Sequence, residues 1–201
     1  MERVIIMSIN VEENKNRYIQ LLKDTNRNEI GKLVAWLEST DFFTAPASSR
    51  FHLACEGGLT QHSLNVYDRL KDKSDSPFWA KMNFADDTIA ICALLHDLCK
   101  ISFYSVGERN VKNEETGKWE KQPFYQIDDQ LPYGHGEKSV YIASGFIKLS
   151  REEAMAIRWH MGFSESKENY NSLNKAYKKF PLCLTLSEAD MEVASIIEPT
   201  M

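Results

Sequence analysis

Residues 89–95, Ile-Ala-Ile-Cys-Ala-Leu-Leu, are apolar without interruption, and the run leads straight into the adjacent pair His96-Asp97. A helix carrying this run has no polar face to show to water, so it must be enclosed on every side by other elements. The chain is therefore committed to wrapping further segments around one central helix, predicted over residues 86–100. Asp86 and Asp87 suit the positive N-terminal end of that helix. The same helix carries an imidazole and a carboxylate into the interior, where a lone charge is costly and a cation offsets the cost. Side by side, the ring nitrogen and the carboxylate can turn toward one cation while the carboxylate reaches a second. Taken alone, the pair suits equally a helix-end carboxylate and a hydrogen-bonded core histidine.

At 201 residues and 43% hydrophobic, the chain can bury one sizeable core and is expected to form a single domain over 1–201. A formal net charge of -5 gives no general attraction to nucleic acid. A phosphate-bearing substrate then needs local positive charge, which a divalent metal centre supplies. The four cysteines, Cys55, Cys92, Cys99 and Cys183, form no Cys-x-x-Cys pair. With the apolar run in MERVIIMSIN too short for a signal peptide, they read as reduced thiols of a cytoplasmic protein. No segment has the apolar length of a membrane span. Cys99, two residues past Asp97 on a continuous helix, is expected to point away from the His-Asp face as core filler.

The rest of the chain reads as helical, with one exception. Residues 11–24 and 28–39 carry Tyr18, Ile19 and Leu22, then Ile30, Leu33, Val34 and Leu37, at helical spacing, and form an N-terminal extension over 1–44. The stretch DFFTAPASSRFHLACEGG breaks the pattern and leads into a helix in GLTQHSLNVYDRL, capped by Thr60 or its neighbour, with His62 in its first turns. The exception is residues 102–127, where FYSV and WEKQPFYQI flank the polar turn KNEETGK and predict a two-stranded hairpin, with Pro123 opposing a long regular second strand. Such a hairpin either roofs a site with Phe103, Tyr104, Trp119 or Tyr125, or stands out in solvent with an aromatic cluster of its own.

Further candidate ligands sit at helix positions. His135 lies between Gly134 and Gly136 just before a helix starting near Glu137. Ser150 and Glu153 spell a capping box, and Gly162 a stop, which puts His160 in the last turn of the intervening helix. Asp190 lies among Leu186, Ala189, Val193 and Ala194 in the final helix, an unexpected place for an acid unless it binds something. Inward-facing helical carboxylates and imidazoles are how helical proteins build metal centres.

In this order the residues resemble the HD-domain metal-dependent phosphohydrolases, whose ligands run histidine, adjacent histidine and aspartate, then a distant aspartate. His62, His96-Asp97 and Asp190 carry the pattern, and the resemblance covers 45–195. It implies an all-α HD-domain fold with the small β-hairpin as an insertion. His135 and His160 match the two extra histidines of the two-metal variant. RFHLACEGGLTQHSLNVY is similar to the helix entry in the branch holding bacterial 3'-5' exoribonucleases and related relaxase-associated or phage proteins, with His52 and His62 flanking Gly-Gly-Leu. No nucleic-acid-binding OB-type domain like that of those exoribonucleases is expected within these 201 residues, which argues against processive RNA degradation.

The resemblance implies one metal on His62, His96, Asp97 and Asp190, and a second on Asp97, His135 and His160. Manganese, iron, zinc, cobalt or nickel suits such ligands better than magnesium. Asp97 and Lys100 are the candidates for the chemistry, because Lys100 shares the face of His96 and Asp97 and can meet a phosphate. Lys100 suits equally a helix C-terminal cation. His52, on a loop, is expected to support a ligand or touch substrate. The expected reaction is hydrolysis of a phosphomonoester or phosphodiester in a nucleotide-like molecule. Three alternatives use the same residues: 3'-5' cleavage of single-stranded RNA or DNA, binding of nucleotide or nucleic acid without turnover, and oxygen activation at two irons.

Overall fold

The computed structural model describes residues 9–114 and 116–198. Most of the N-terminal run read for a signal peptide lies outside these residues. The helices are α1 (Val11–Asp24), α2 (Ile30–Glu38), α3 (Gly58–Asp75), α4 (Asp86–Leu95), α5 (His135–Ser144), α6 (Arg151–Trp159), α7 (Tyr170–Lys179) and α8 (Pro181–Glu192). Between α4 and α5 a hairpin of β1 (Tyr104–Lys112) and β2 (Trp119–Ile127) is inserted. The fold is all-α with a small β insertion, as the sequence predicts. No helix among the described residues is long and apolar enough to cross a membrane.

Every residue of α4 from Ile89 to Leu95 is buried, and α1, α3 and α6 pack around it. Burying each Ile or Leu side chain is worth roughly 1.5–3 kcal/mol, so enclosure of this helix is a large part of what drives the fold. The N-terminal extension joins the same core: the Tyr18 hydroxyl donates to the Leu94 carbonyl at 2.6 Å, and Leu22, Leu33 and Leu37 are fully buried. Glu153 caps α6 with Ser150 and also pairs with Arg27 and accepts from the Thr88 hydroxyl at 2.9 Å. That one buried carboxylate fixes α6 against α4.

Two glycines open α3 for different reasons. Gly57 takes a φ of +74°, which an L side chain resists, and a Cβ on Gly58 would lie 2.2 Å from the Leu53 carbonyl oxygen. Thr60 is not the cap; it lies inside α3, buried, with its hydroxyl donating to the Phe42 carbonyl at 3.3 Å. Pro123 does not shorten β2, which pairs with β1 along its whole length. Backbone bonds at Phe103–Asp128 and Asn113–Lys118 set the alternation, and Pro123, opposite Glu108, falls at a position whose nitrogen faces away from β1. α7, for which no separate helix is predicted, is an amphipathic segment with Leu173 and Ala176 buried.

Candidate metal centre

Five elements deliver side chains to one buried point. α3 brings His62, the end of α4 brings His96 and Asp97, α5 begins on His135, α6 ends on Trp159 with His160 closing it, and α8 brings Asp190. The predicted single helix over 86–100 is in fact broken. α4 stops at Leu95, Asp97 leaves helical geometry (φ -107°, ψ 21°), and Leu98–Lys100 forms a 3-10 turn. Neighbouring residues on an α-helix point about 100° apart, so adjacent side chains converge on one point only where the helix breaks.

Asp97 is the hub. Its Oδ2 lies 3.6 Å from His62 Nε2, 3.4 Å from His96 Nε2 and 2.7 Å from Lys100 Nζ. Its Oδ1 lies 3.0 Å from His135 Nε2 and 3.5 Å from His160 Nε2. Asp190 Oδ1 stands 3.1 Å from His62 Nε2, and the two Nε2 atoms of His62 and His96 are 3.3 Å apart. His160 also approaches His96 and Asp190, and so stands between the two halves.

The far ring nitrogens settle which way these imidazoles face. His96 Nδ1 donates to the Ala93 carbonyl at 2.8 Å and His160 Nδ1 to the Ile157 carbonyl at 2.7 Å. His62 Nδ1 lies 2.9 Å from Oε2 of Glu198, whose other oxygen accepts from Asn65 at 2.6 Å. With hydrogen on Nδ1, each ring turns the lone pair of Nε2 inward. His160 Nε2 is buried with no hydrogen-bond partner. Acceptors thus face acceptors at close range, an arrangement a cation resolves and a polar core does not. The residue set fits divalent metal.

The charges agree. Burial alone would lower the pKa of His62, but hydrogen bonds and charge from Asp190 and Glu198 outweigh it and raise the value from 6.5 to about 10. His135 is likewise lowered by burial, yet Cys99 and Asp97 lift it to about 9. Burial would raise the pKa of Asp97, but Lys100, His96, His135 and His160 hold it well below the carboxylate range. Lys100 is opposed by its own burial and raised by Asp97. In the absence of metal, protons stand where a cation would.

A cavity of about 600 Å³ opens above the centre, lined in part by His52, Lys100, Phe163, Tyr177, Ser187 and Met191. Its walls come from α8, the turn after α6 and the His52 loop. The hairpin does not roof it: Trp119 is exposed, and the hairpin lines a separate groove with the Ser49–Cys55 loop. His52 turns a buried, unpartnered Nε2 toward the centre, its ring 5.0 Å from that of His62. Burial lowers its pKa below 6.5, so it is neutral at pH 7.

Two residues depart from expectation. Cys99 is buried but does not point away: Sγ lies 3.4 Å from each ring nitrogen of His135 and 3.9 Å from Asp97 Oδ1, because the helix break at Asp97 redirects it. Glu198, which sequence reasoning missed, reaches His62 from a π-helical turn at Val193–Ile197. A separation of 136 residues leaves no local signal by which to find that pair.

Comparison with known families matches the HD domain over residues 59–195. The chain belongs to the HD-domain family. Together with the clustered histidines and aspartates, membership makes this HD domain a metal-dependent phosphohydrolase. The match spans α3 to α8 and includes all six candidate ligands; α1 and α2 precede it. Neither a curated protein nor a solved structure matches the chain.

Proposed function

We propose that this HD domain holds two divalent transition metal ions and hydrolyses a phosphomonoester or phosphodiester in a nucleotide-like substrate. The observation that carries the reading is the division of labour at Asp97, where one oxygen faces His62 and His96 and the other faces His135 and His160. A carboxylate so placed would serve two cations, one held with His62, His96 and Asp190 and the other with His135 and His160. When bound, such a pair lowers the pKa of a shared water and neutralises charge on the phosphoryl oxygens.

The protein's own groups supply the rest. Lys100 balances Asp97 and presents an ammonium to the cavity, where a phosphate oxygen can meet it. His52, neutral at pH 7, offers a ring nitrogen for contact with substrate. Phe163, 61% exposed at the cavity wall, offers a ring for a base to stack on. A volume of about 600 Å³ suits a nucleotide-sized ligand.

One observation favours a second reading, cleavage of single strands from the 3' end. The groove between the His52 loop and the hairpin, about 880 Å³, carries Arg50 and Arg109 laid over Phe51 and Phe124, groups that suit phosphates and bases. A screen of mononucleotides, cyclic dinucleotides and labelled single strands with manganese, iron, zinc, cobalt or nickel separates the two. Phosphate release from mononucleotides supports the first, and shortened strands the second. Asp97→Ala should abolish turnover and remove both metals; a variant that still binds both ions would overturn the bridging role. Oxygen consumption by the iron-loaded protein in place of hydrolysis would sink both readings.

A further inference from the structure

We infer that Ser187, held by Tyr177, is a specificity-determining residue of the cavity above the metal centre. It binds a hydroxyl of the substrate's sugar, so that the protein selects ribonucleotides over their deoxy counterparts. The inference rests on the phosphohydrolase reading above. Ser187 lies three residues before Asp190 on α8, and both line the same cavity. Residues so spaced share a helix face, with Cβ atoms about 5–6 Å apart. A phosphate held at the metal centre therefore leaves the group esterified to it beside Ser187, and in a nucleotide that group is the sugar.

The Ser187 hydroxyl is placed to meet a ligand. It belongs to a side chain 9% exposed, and its oxygen accepts from the Tyr177 hydroxyl at 3.0 Å. Ser63, Ser74 and Thr185 return their own hydroxyl hydrogens to the carbonyl four residues earlier. Ser187 makes no such bond, and among the described residues its hydrogen has no acceptor. The Tyr177 oxygen keeps its lone pairs, so the two hydroxyls together present a donor and an acceptor to the cavity. A sugar hydroxyl uses both, whereas a base carbonyl uses only the donor. Lys100, the one lysine or arginine lining the cavity among the described residues, is paired with Asp97 at the metal end. The wall at Ser187 thus suits a neutral group rather than a second phosphate.

The surroundings keep the pair in place. Gly162 stands against it in the left-handed region, φ +53°, and a Cβ there would run into Ser187 Oγ and lie 2.9 Å from the Tyr177 hydroxyl. Phe163 follows directly and meets the Tyr177 ring edge-on, with centroids 6.3 Å apart. The ring proposed to stack on the base and the hydroxyls proposed to hold the sugar belong to one cluster.

Paired ligands test the assignment on the full-length, manganese-loaded protein. Nucleoside monophosphates and their 2′-deoxy and 3′-deoxy analogues are compared by kcat/KM and by equilibrium binding. The wild-type protein should favour the ribonucleotide over at least one deoxy analogue by about tenfold, chiefly through KM. Ser187→Ala should bring that ratio to within about twofold of unity, by weakening use of the ribonucleotide alone. Tyr177→Phe, which keeps the ring and releases the serine, should reduce the ratio part-way. A ratio between two substrates on one preparation is unaffected by loss of folded or metal-loaded protein, so a merely structural role of Ser187 would leave it unchanged. Equal use of all analogues by the wild type, or a ratio that survives in Ser187→Ala, would overturn the role of Ser187 and leave the phosphohydrolase standing. If no nucleotide is turned over, the hydrolase reading falls and the binding ratio decides the contact. A binding preference lost in Ser187→Ala then supports it, and the absence of preference or of binding overturns it.

Discussion

Around Asp97, each imidazole is aimed by what its far nitrogen touches, and Glu198 does this for His62 with a full charge. Removing that charge weakens the hold on the ring and lowers its basicity toward metal. Glu198→Gln is therefore expected to reduce affinity at the site of His62 by about 10–100-fold, measured by competition with a chromophoric chelator. Protons compete for the same nitrogens. His62 holds its proton to about 10 and His135 to about 9, against an ordinary 6.5, so binding of metal at neutral pH must expel both. Affinity for each ion should rise with pH, by up to about tenfold per unit while its one histidine proton is displaced, and flatten above those values. A pH-independent affinity between 7 and 9 would show that these nitrogens are not the ligands.

At the level of elements, the position of His135 depends on how closely α5 approaches α6. A Cβ on Gly136 would lie 2.1 Å from the Arg158 carbonyl oxygen, a backbone atom that cannot swing aside. Gly136→Ala must push the start of α5 outward and take His135 with it. The expected cost is about 1–3 kcal/mol of stability by thermal melting. The variant should also lose the second metal equivalent while keeping the first by elemental analysis, because His62, His96 and Asp190 lie on other helices. Loss of both ions together would mean that α5 supports the whole centre.

For the molecule as a whole, the metal centre joins segments far apart in the chain, so metal should act as a cross-brace. Binding at free metal a thousand times Kd adds about 4 kcal/mol, which for a chain of this size raises Tm by about 8–16 °C. Chelation should reverse the gain in differential scanning calorimetry. The gap should widen with pH. In the metal-free protein, His62 and His135 have folded pKa values raised above 6.5, so their stabilisation is complete below that value and is lost as pH rises through about 9 to 10. The metal-loaded protein carries no such protons and should keep its Tm over that window.

The uninterrupted run at 89–95 makes a central helix unavoidable, and the helical spacing of Tyr18, Leu22, Leu33 and Leu37 assigns α1 and α2 one buried face each. The capping box at Ser150 and Glu153 was equally legible, because caps are local chemistry. The order of His62, His96-Asp97, His135, His160 and Asp190 was readable as a pattern. Which oxygen of Asp97 each histidine faces was not, since that depends on separations between helices. α7 is amphipathic, but its apolar face is narrow, with Leu173 and Ala176 as its buried residues, and it carries no ligand to mark it. Cys99 points away from the His-Asp face only on a continuous helix, and the helix breaks at Asp97. Glu198 was invisible for a related reason: its meaning arises only when the chain's end folds back on α3 and sets a carboxylate against His62. Periodicity and capping act over a few residues and are written in the sequence, whereas the contents of a coordination shell depend on where distant segments meet.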